Sequence, residues 1–248
     1  MRIHAKTMVP ALVAALSFTG AAHAEEASPF SANVSLVSDY AYRGVSQTNE
    51  SAALQGGFDF KHGSGVYVGV WGSSISWLRD AERGLDVSSR NSVELDLYAG
   101  YAKEFGDFGI DVGVLHYGYP GDFDRAWKNA TGLENPNTTE GYVAFSWKFV
   151  SFKYSRAFTD LFGAPDSKGS DYLDLSASYE VLKNLSLDAH VGKQRITGPG
   201  VSYLDWKLGA TYNLGGFDLG LHYVDTDIDD ADSVDADARI ILSVSKSF

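Results

Sequence analysis

Cysteine is absent from the chain, which excludes a disulfide framework, a thiolate nucleophile and any cysteine-based metal site. Basic side chains are scarce: 20 Lys and Arg stand against 32 Asp and Glu, a formal charge of −12. An acidic excess of that size repels phosphate and argues against nucleic acid as a partner. Beyond the first two dozen residues there is also no apolar run of the roughly 20 residues that a membrane-spanning helix requires. What remains is one sizeable domain that either dissolves in water or crosses a membrane by strands.

The amino-terminal segment favours export. Arg2, His4 and Lys6 precede an apolar stretch from Met8 to Ala22 that ends in Ala22-His23-Ala24, the charged, apolar and small-residue succession of a cleaved secretory signal. Ser17, Thr19 and Gly20 break the apolar stretch and weigh against a membrane anchor. The expectation is a signal over residues 1–24 and a single domain over 25–248, in which 18 basic face 32 acidic side chains, a formal charge of −14.

That domain is filled by about twelve segments of roughly nine to eleven residues in which apolar and polar side chains alternate, the pattern of a transmembrane barrel. Val93, Leu95, Leu97, Ala99 and Tyr101 against Glu94, Asp96, Tyr98 and Gly100 is the cleanest case. Leu204, Trp206, Leu208, Ala210 and Tyr212 against Asp205, Lys207, Gly209 and Thr211 repeats it. The first strand is expected over Asn33 to Arg43, with Val34, Leu36, Tyr40 and Tyr42 toward lipid. Between Leu54 and Trp71 the phase is ambiguous, because both faces are apolar or glycine.

Tight turns at 62–65, 104–107, 149–150, 180–184 and 213–216 alternate with longer connections at 44–51, 73–92, 120–139, 159–170, 195–202 and 225–238. This predicts an all-β, antiparallel up-and-down barrel of even strand number, with short periplasmic turns, longer extracellular loops and both ends of the domain in the periplasm. Tyr40, Tyr42, Phe58, Phe60, Trp147, Phe149, Trp206, Tyr212, Phe217 and Phe248 gather toward strand ends, where aromatic rings sit at the lipid headgroup level.

The chain also resembles the TorF-type porin-like family, a bacterial family of unknown function. The resemblance rests on Ser38-Asp39-Tyr40-Ala41-Tyr42-Arg43-Gly44-Val45-Ser46-Gln47 and on Gly65-Val66-Tyr67-Val68-Gly69-Val70-Trp71-Gly72-Ser73. Asp111-Val112-Gly113, Tyr117-Gly118-Tyr119-Pro120 and Asp205-Trp206-Lys207-Leu208-Gly209 extend it across the whole exported domain. It implies a small outer-membrane porin-like barrel with no assigned substrate and no catalytic residues. Phe248 resembles the aromatic carboxyl terminus by which such barrels engage the assembly machinery, with Lys246 departing from that pattern.

The strand phase places Asp39, Asp59, Glu94, Asp96, Asp111, Asp174, Asp188, Asp205 and Asp218 inside, against Arg43, Lys61, Lys148, Lys153, Lys207 and Arg239. Charged rings bias which ions enter a pore, so a mild preference for cations or neutral solutes is expected. The same charges either line an open pore or pair across the lumen and plug it, and the sequence does not choose between these. The pore-lining candidates are Asp39, Arg43, Asp59, Glu94, Asp96, Asp111, Tyr117, Tyr119, Asp205 and Lys207. Arg43 either grips solute carboxylates or pairs structurally with Asp39 or Glu94.

The acidic stretch Asp225-Thr226-Asp227-Ile228-Asp229-Asp230-Ala231-Asp232 invites a calcium reading, yet Asp230 stands at the glycine position of an EF-hand loop and Ala236 where the bidentate Glu belongs. A solvated loop is expected, with Asp225, Asp227 and Asp229 as the contacts for a divalent ion bridging to lipopolysaccharide. His116, His190 and His222 lie in no nucleophile motif. No enzyme, no cofactor and no resident metal is expected. The reading is a passive outer-membrane channel for small hydrophilic solutes, with a non-conducting structural or adhesion barrel, or a hydrolase, as alternatives.

Overall fold

The computed structural model describes residues 28–198, 200–229 and 235–248, so the expected signal segment lies outside the described residues. In chain order the elements are β1 (Phe30–Val37), β2 (Ala41–Tyr42), β3 (Val45–Ser46), β4 (Ala53–Lys61), β5 (Val66–Ser74), α1 (Trp77–Ala81), β6 (Val93–Phe105) and β7 (Phe108–Gly118). There follow α2 (Arg125–Thr131), β8 (Thr138–Trp147), β9 (Val150–Ala157), β10 (Asp171–Leu182), β11 (Leu185–Arg195), β12 (Tyr203–Leu214), β13 (Phe217–Thr226) and β14 (Arg239–Ser247).

Twelve strands close into one antiparallel barrel, in which each long strand pairs with its neighbours in sequence and β1 bonds to both β14 and β4. Closure leaves no strand edge unpaired, the condition for a sheet to sit in hydrocarbon. The seam reaches the last residue, since Phe248 and Ala32 exchange backbone hydrogen bonds of 2.9 and 3.2 Å.

The distribution of side chains is inverted relative to a water-soluble protein. On β6, Leu95 and Leu97 are 42% and 55% exposed, while Glu94 and Asp96 are 2% and 3% exposed. The same alternation runs around the wall: Val34, Leu36, Val68, Val112, Phe152, Leu175, Leu187, Leu208, Leu221 and Leu242 all lie on the outer surface. A continuous apolar band of this kind has no role in water and marks a membrane-facing surface. At the short-turn end it is edged by Phe30, Phe58, Phe105, Phe108, Trp147, Phe149, Tyr212, Phe217 and Phe248. Lys246, the one cation in its outward row, lays its ammonium 4.8 Å from the Phe217 ring centroid and 5.2 Å from that of Phe248. Its apolar stem stays on the wall while its charge reaches the rim.

The turns fall within about two residues of their expected places, a margin usual for element boundaries. Of the long connections, the second and third contain α1 and α2, which strand alternation does not reveal. Asp124 caps α2 by accepting from the Trp127 amide at 2.8 Å, and the Trp127 indole donates to Glu82 at 2.7 Å. Leu78 and Trp127 are thereby sealed into the apolar cluster at the long-loop end of the barrel.

Three expectations are corrected. The first strand ends at Val37, and residues 38–52 turn inward instead of continuing it. Tyr40 and Tyr42 therefore belong to no lipid girdle: Tyr40 is buried and Tyr42 half-buried within the barrel. Lys148 is not in the lumen but in the turn after β8, with its ammonium 5.0 Å from the outward Trp147 ring; the turn begins one residue earlier than expected and ends the alternation before it reaches Lys148.

Candidate functional site

The inward segment builds the site. β2 and β3 pair as a small hairpin (Ala41 with Ser46, Tyr42 with Val45) whose tip is Arg43-Gly44. Both tip residues take left-handed backbone angles, φ 48° and 81°, as a two-residue hairpin loop of this tightness requires. Glycine is demanded twice at position 44, because a Cβ there would stand 2.5 Å from Thr226 Cγ2 and 2.7 Å from Asp205 Cβ. The tip is thus pressed against β12 and β13. Arg43 adopts its angle without that freedom, at a cost of about 1–2 kcal/mol.

Contacts to nearly every side of the wall hold the hairpin in place. Arg43 Nη2 donates to Glu140 Oε2 on β8 at 2.7 Å, and Nη1 to Gln194 Oε1 on β11 at 2.7 Å. The guanidinium lies 4.8 Å from the Tyr42 ring and 4.3 Å from the Tyr172 ring of β10. Tyr42 and Tyr117 of β7 bring their hydroxyls within 2.6 Å. Tyr40 packs edge-on against Trp71 of β5 and donates to Glu94 of β6 at 3.1 Å. On the opposite side Asp39 accepts from Ser46 and Thr48 at 2.5 and 2.9 Å and pairs with Arg239 of β14 at 3.2 Å. Burial, the largest single influence, pulls the Arg43 guanidinium pKa down, but the Glu140 carboxylate together with Tyr42 and Tyr117 more than offsets it, so the net direction is up. Burial, reinforced by Glu94 and then Asp96, raises the hydroxyls of Tyr40 and Tyr119 and keeps them as donors.

Toward the short turns the lumen changes character. Tyrosines lie flat on the wall over glycines of the adjacent strand: Tyr98 over Gly69, Tyr67 over Gly100 and Tyr142 over Gly113. A Cβ at any of these glycines would collide with the ring or hydroxyl above it. The pairing lets large side chains line the bore without crossing it. Their hydroxyls are fixed by acids: Tyr98 donates to Asp59 at 2.5 Å and Tyr67 to Asp111 at 2.7 Å, with the Tyr142 hydroxyl hydrogen-bonded to that of Tyr67. Lys153 lies 4.1 Å from the Tyr142 ring.

Across the bore, His190 is clamped by two carboxylates, Asp174 on Nδ1 and Asp205 on Nε2, each at 2.8 Å. Ser176 is within 3.2 Å of the same ring but donates to Asp174 at 2.7 Å. Serine, histidine and aspartate thus meet here, yet with both ring nitrogens engaged by carboxylates they are not ordered as a nucleophile and its base. His222 reaches Asp188 at 3.3 Å, and Asp188 also accepts from Ser178 and Thr211. His116 faces outward, hydrogen-bonded to Thr139, beside a rim cleft of about 410 Å³.

Of the residues singled out from sequence, Asp39, Arg43, Glu94, Asp96, Tyr117 and Tyr119 gather around the hairpin; Asp59, Asp111, Asp205 and Lys207 line the barrel wall on inward strand positions. Arg43 pairs with neither Asp39 nor Glu94 but with Glu140. Glu140, Gln194, Tyr142 and Tyr172 are the participants that sequence reasoning passed over. Tyr142 and Tyr172 lie one step, and Glu140 two steps, before the alternation becomes evident, and the signal available for them was continuation of the inward register. In the acidic loop, Asp225 accepts from the Tyr223 hydroxyl at 2.8 Å and Asp227 from the Leu204 amide at 2.5 Å; Asp230, Ala231 and Asp232 lie outside the described residues.

A family model for a bacterial protein of unknown function (Gcw_chp) matches residues 21–248. The chain belongs to that family. No curated relative matches the sequence. Among solved structures, the chain is similar to a KdgM porin at 10% identity and TM-score 0.55, covering 88% of this chain and 99% of that one. A KdgM porin in complex with disordered oligogalacturonate gives 10% identity and TM-score 0.53, with 88% and 98% covered. A structure from work on the in-meso crystallization of membrane proteins gives 9%, 0.52, 88% and 83%. At these identities the likeness is one of fold: the closed barrel is an architecture shared with porins.

Proposed function

We propose that the protein is an outer-membrane channel for passive diffusion of small hydrophilic solutes, restricted by the inward hairpin. The observation that carries this reading is the inverted burial: carboxylates, amides and hydroxyls inside a closed cylinder whose outside is aliphatic. In the short-turn half the inward side chains Asn33, Ser35, Ser178, Asp188, Asn213 and Ser245 remain partly open to solvent, as a water-filled vestibule requires. The motifs that resemble the TorF-type family support the same assignment. Under this reading the amino-terminal segment is a cleaved signal, the short turns are periplasmic, and Phe248 engages the assembly machinery. The acidic loop around Asp225, Asp227 and Asp229 faces lipopolysaccharide.

The lumen selects against anions. Asp39, Asp59, Glu94, Asp96, Asp111, Glu140, Asp174, Asp188, Asp205 and Asp218 outnumber Arg43, Lys61, Lys153, Lys207 and Arg239 on the inward side. An interior of that sign opposes a polyanion such as the oligogalacturonate held by KdgM, so we assign cations and neutral solutes instead. Reconstitution in planar bilayers under a salt gradient tests this: a reversal potential on the cation side is expected, and one on the anion side overturns the selectivity. Liposome swelling with sugars, amino acids and organic ions tests the channel itself, and a barrel that is folded but inert in both assays overturns it.

A further inference from the structure

We propose that Asp96, with Glu94 and Glu140, forms a subsite for an organic cation bearing an ammonium or guanidinium group, which competes with Arg43 for the Glu140 carboxylate. This rests on the channel reading above and names the solute chemistry of its constriction. The decisive feature is Asp96. It is 3% exposed, and its Oδ1 has no hydrogen-bond partner. Glu94 accepts from Tyr40 and Glu140 accepts from Arg43 and Tyr117, so Asp96 alone of the three keeps an unanswered oxygen. Leaving a buried acceptor unanswered is costly, and a ligand that brings an N–H donor removes that cost.

The surroundings specify the donor. In the barrel register Asp96 stands between Trp71 of β5 and Tyr117 of β7, both inward and buried. Aromatic faces beside a carboxylate attract cations and offer nothing to anions. Arg43 demonstrates the chemistry, with Nη2 on Glu140, Nη1 on Gln194 and its guanidinium over the rings of Tyr42 and Tyr172. No grouping of His, Asp and Glu among the described residues is suited to a bare metal ion, which favours an organic cation. Arg43 holds its place with a left-handed backbone angle, so release of the tip relieves strain and lowers the cost of exchange.

Calorimetry on the detergent-folded protein tests the subsite, with L-argininamide as probe and L-citrullinamide as its uncharged isostere. Saturable binding of the first and none of the second is expected. Asp96→Asn, isosteric and checked for folding by heat-modifiable migration, weakens binding about tenfold or more, and Arg43→Ala, which removes the internal competitor, tightens it by about the same factor. Equal heats for the two amides in the wild-type protein, or an unchanged affinity in Asp96→Asn, overturns the proposal; the first comparison requires no variant to fold. Binding without conductance overturns the channel reading and leaves the subsite standing. Conductance without binding does the reverse.

Discussion

In the half of the lumen nearest the long loops, Asp39, Glu94, Glu140 and Arg239 are each less than a tenth exposed, whereas nearest the short turns Asn33, Ser35, Asp188 and Ser245 stay partly open to solvent. Glu94, Glu140 and Arg239 point inward from their strands as Asn33, Ser35, Asp188 and Ser245 do, so inward orientation does not separate the two halves. The inward hairpin does. Where it lies, the inward charges are packed beneath it, and where it stops, the inward side chains keep part of their surface open to solvent. A barrel of this size is therefore narrowed by one short segment packed into a wide cylinder, while the cylinder itself stays generic.

That contrast can be broken by substitution. Asp39→Ala leaves Arg239 buried without its counterion, and loss of one partner from such a pair costs about 3–5 kcal/mol; urea unfolding in lipid vesicles is expected to show it, and a change under about 1 kcal/mol would mean that the long-loop half is wetter than described. Leu208→Arg places a charge on the outer wall near mid-strand and is expected to cost about 2–4 kcal/mol in the same assay, with little effect on selectivity. A neutral result there would deny the lipid-facing exterior. Gly44→Ala meets both a left-handed backbone and the side chains of Thr226 and Asp205, and a loss of about 1–3 kcal/mol is expected. Because the hairpin is displaced while the cylinder stays closed, conductance in bilayers should rise in that variant.

The alternation in Val93 to Tyr101 and Leu204 to Tyr212 made the cylinder legible, since a period of two with acids on one face has few other uses. The hairpin was not legible in the same way. Tyr40 and Tyr42 prolong the alternation of β1 past its end, and a tyrosine packed under a lid has the same spacing as one in a lipid girdle. Alternation also says nothing about which strands face each other across the bore. Arg43 was visible as unusual, but its partners Glu140, Gln194 and Tyr172 come from strands about 100 or more residues away, and only closure brings them together. Gly69, beneath Tyr98, helped make the phase of its strand ambiguous for the reason that makes it useful, because it leaves room for a neighbour's ring.

Since the native chain has no cysteine, single cysteines report access without background. The most direct measurement compares Ser245→Cys in the short-turn half with Ser73→Cys in the long-loop half, each in reconstituted vesicles exposed to a water-soluble, membrane-impermeant maleimide. Ser245 is partly open and Ser73 is 3% exposed. Position 245 is expected to react at least about tenfold faster, in line with the difference in opening free energy between an open vestibule and a packed constriction. Equal rates at the two positions would contradict a lumen narrowed by its own inward hairpin.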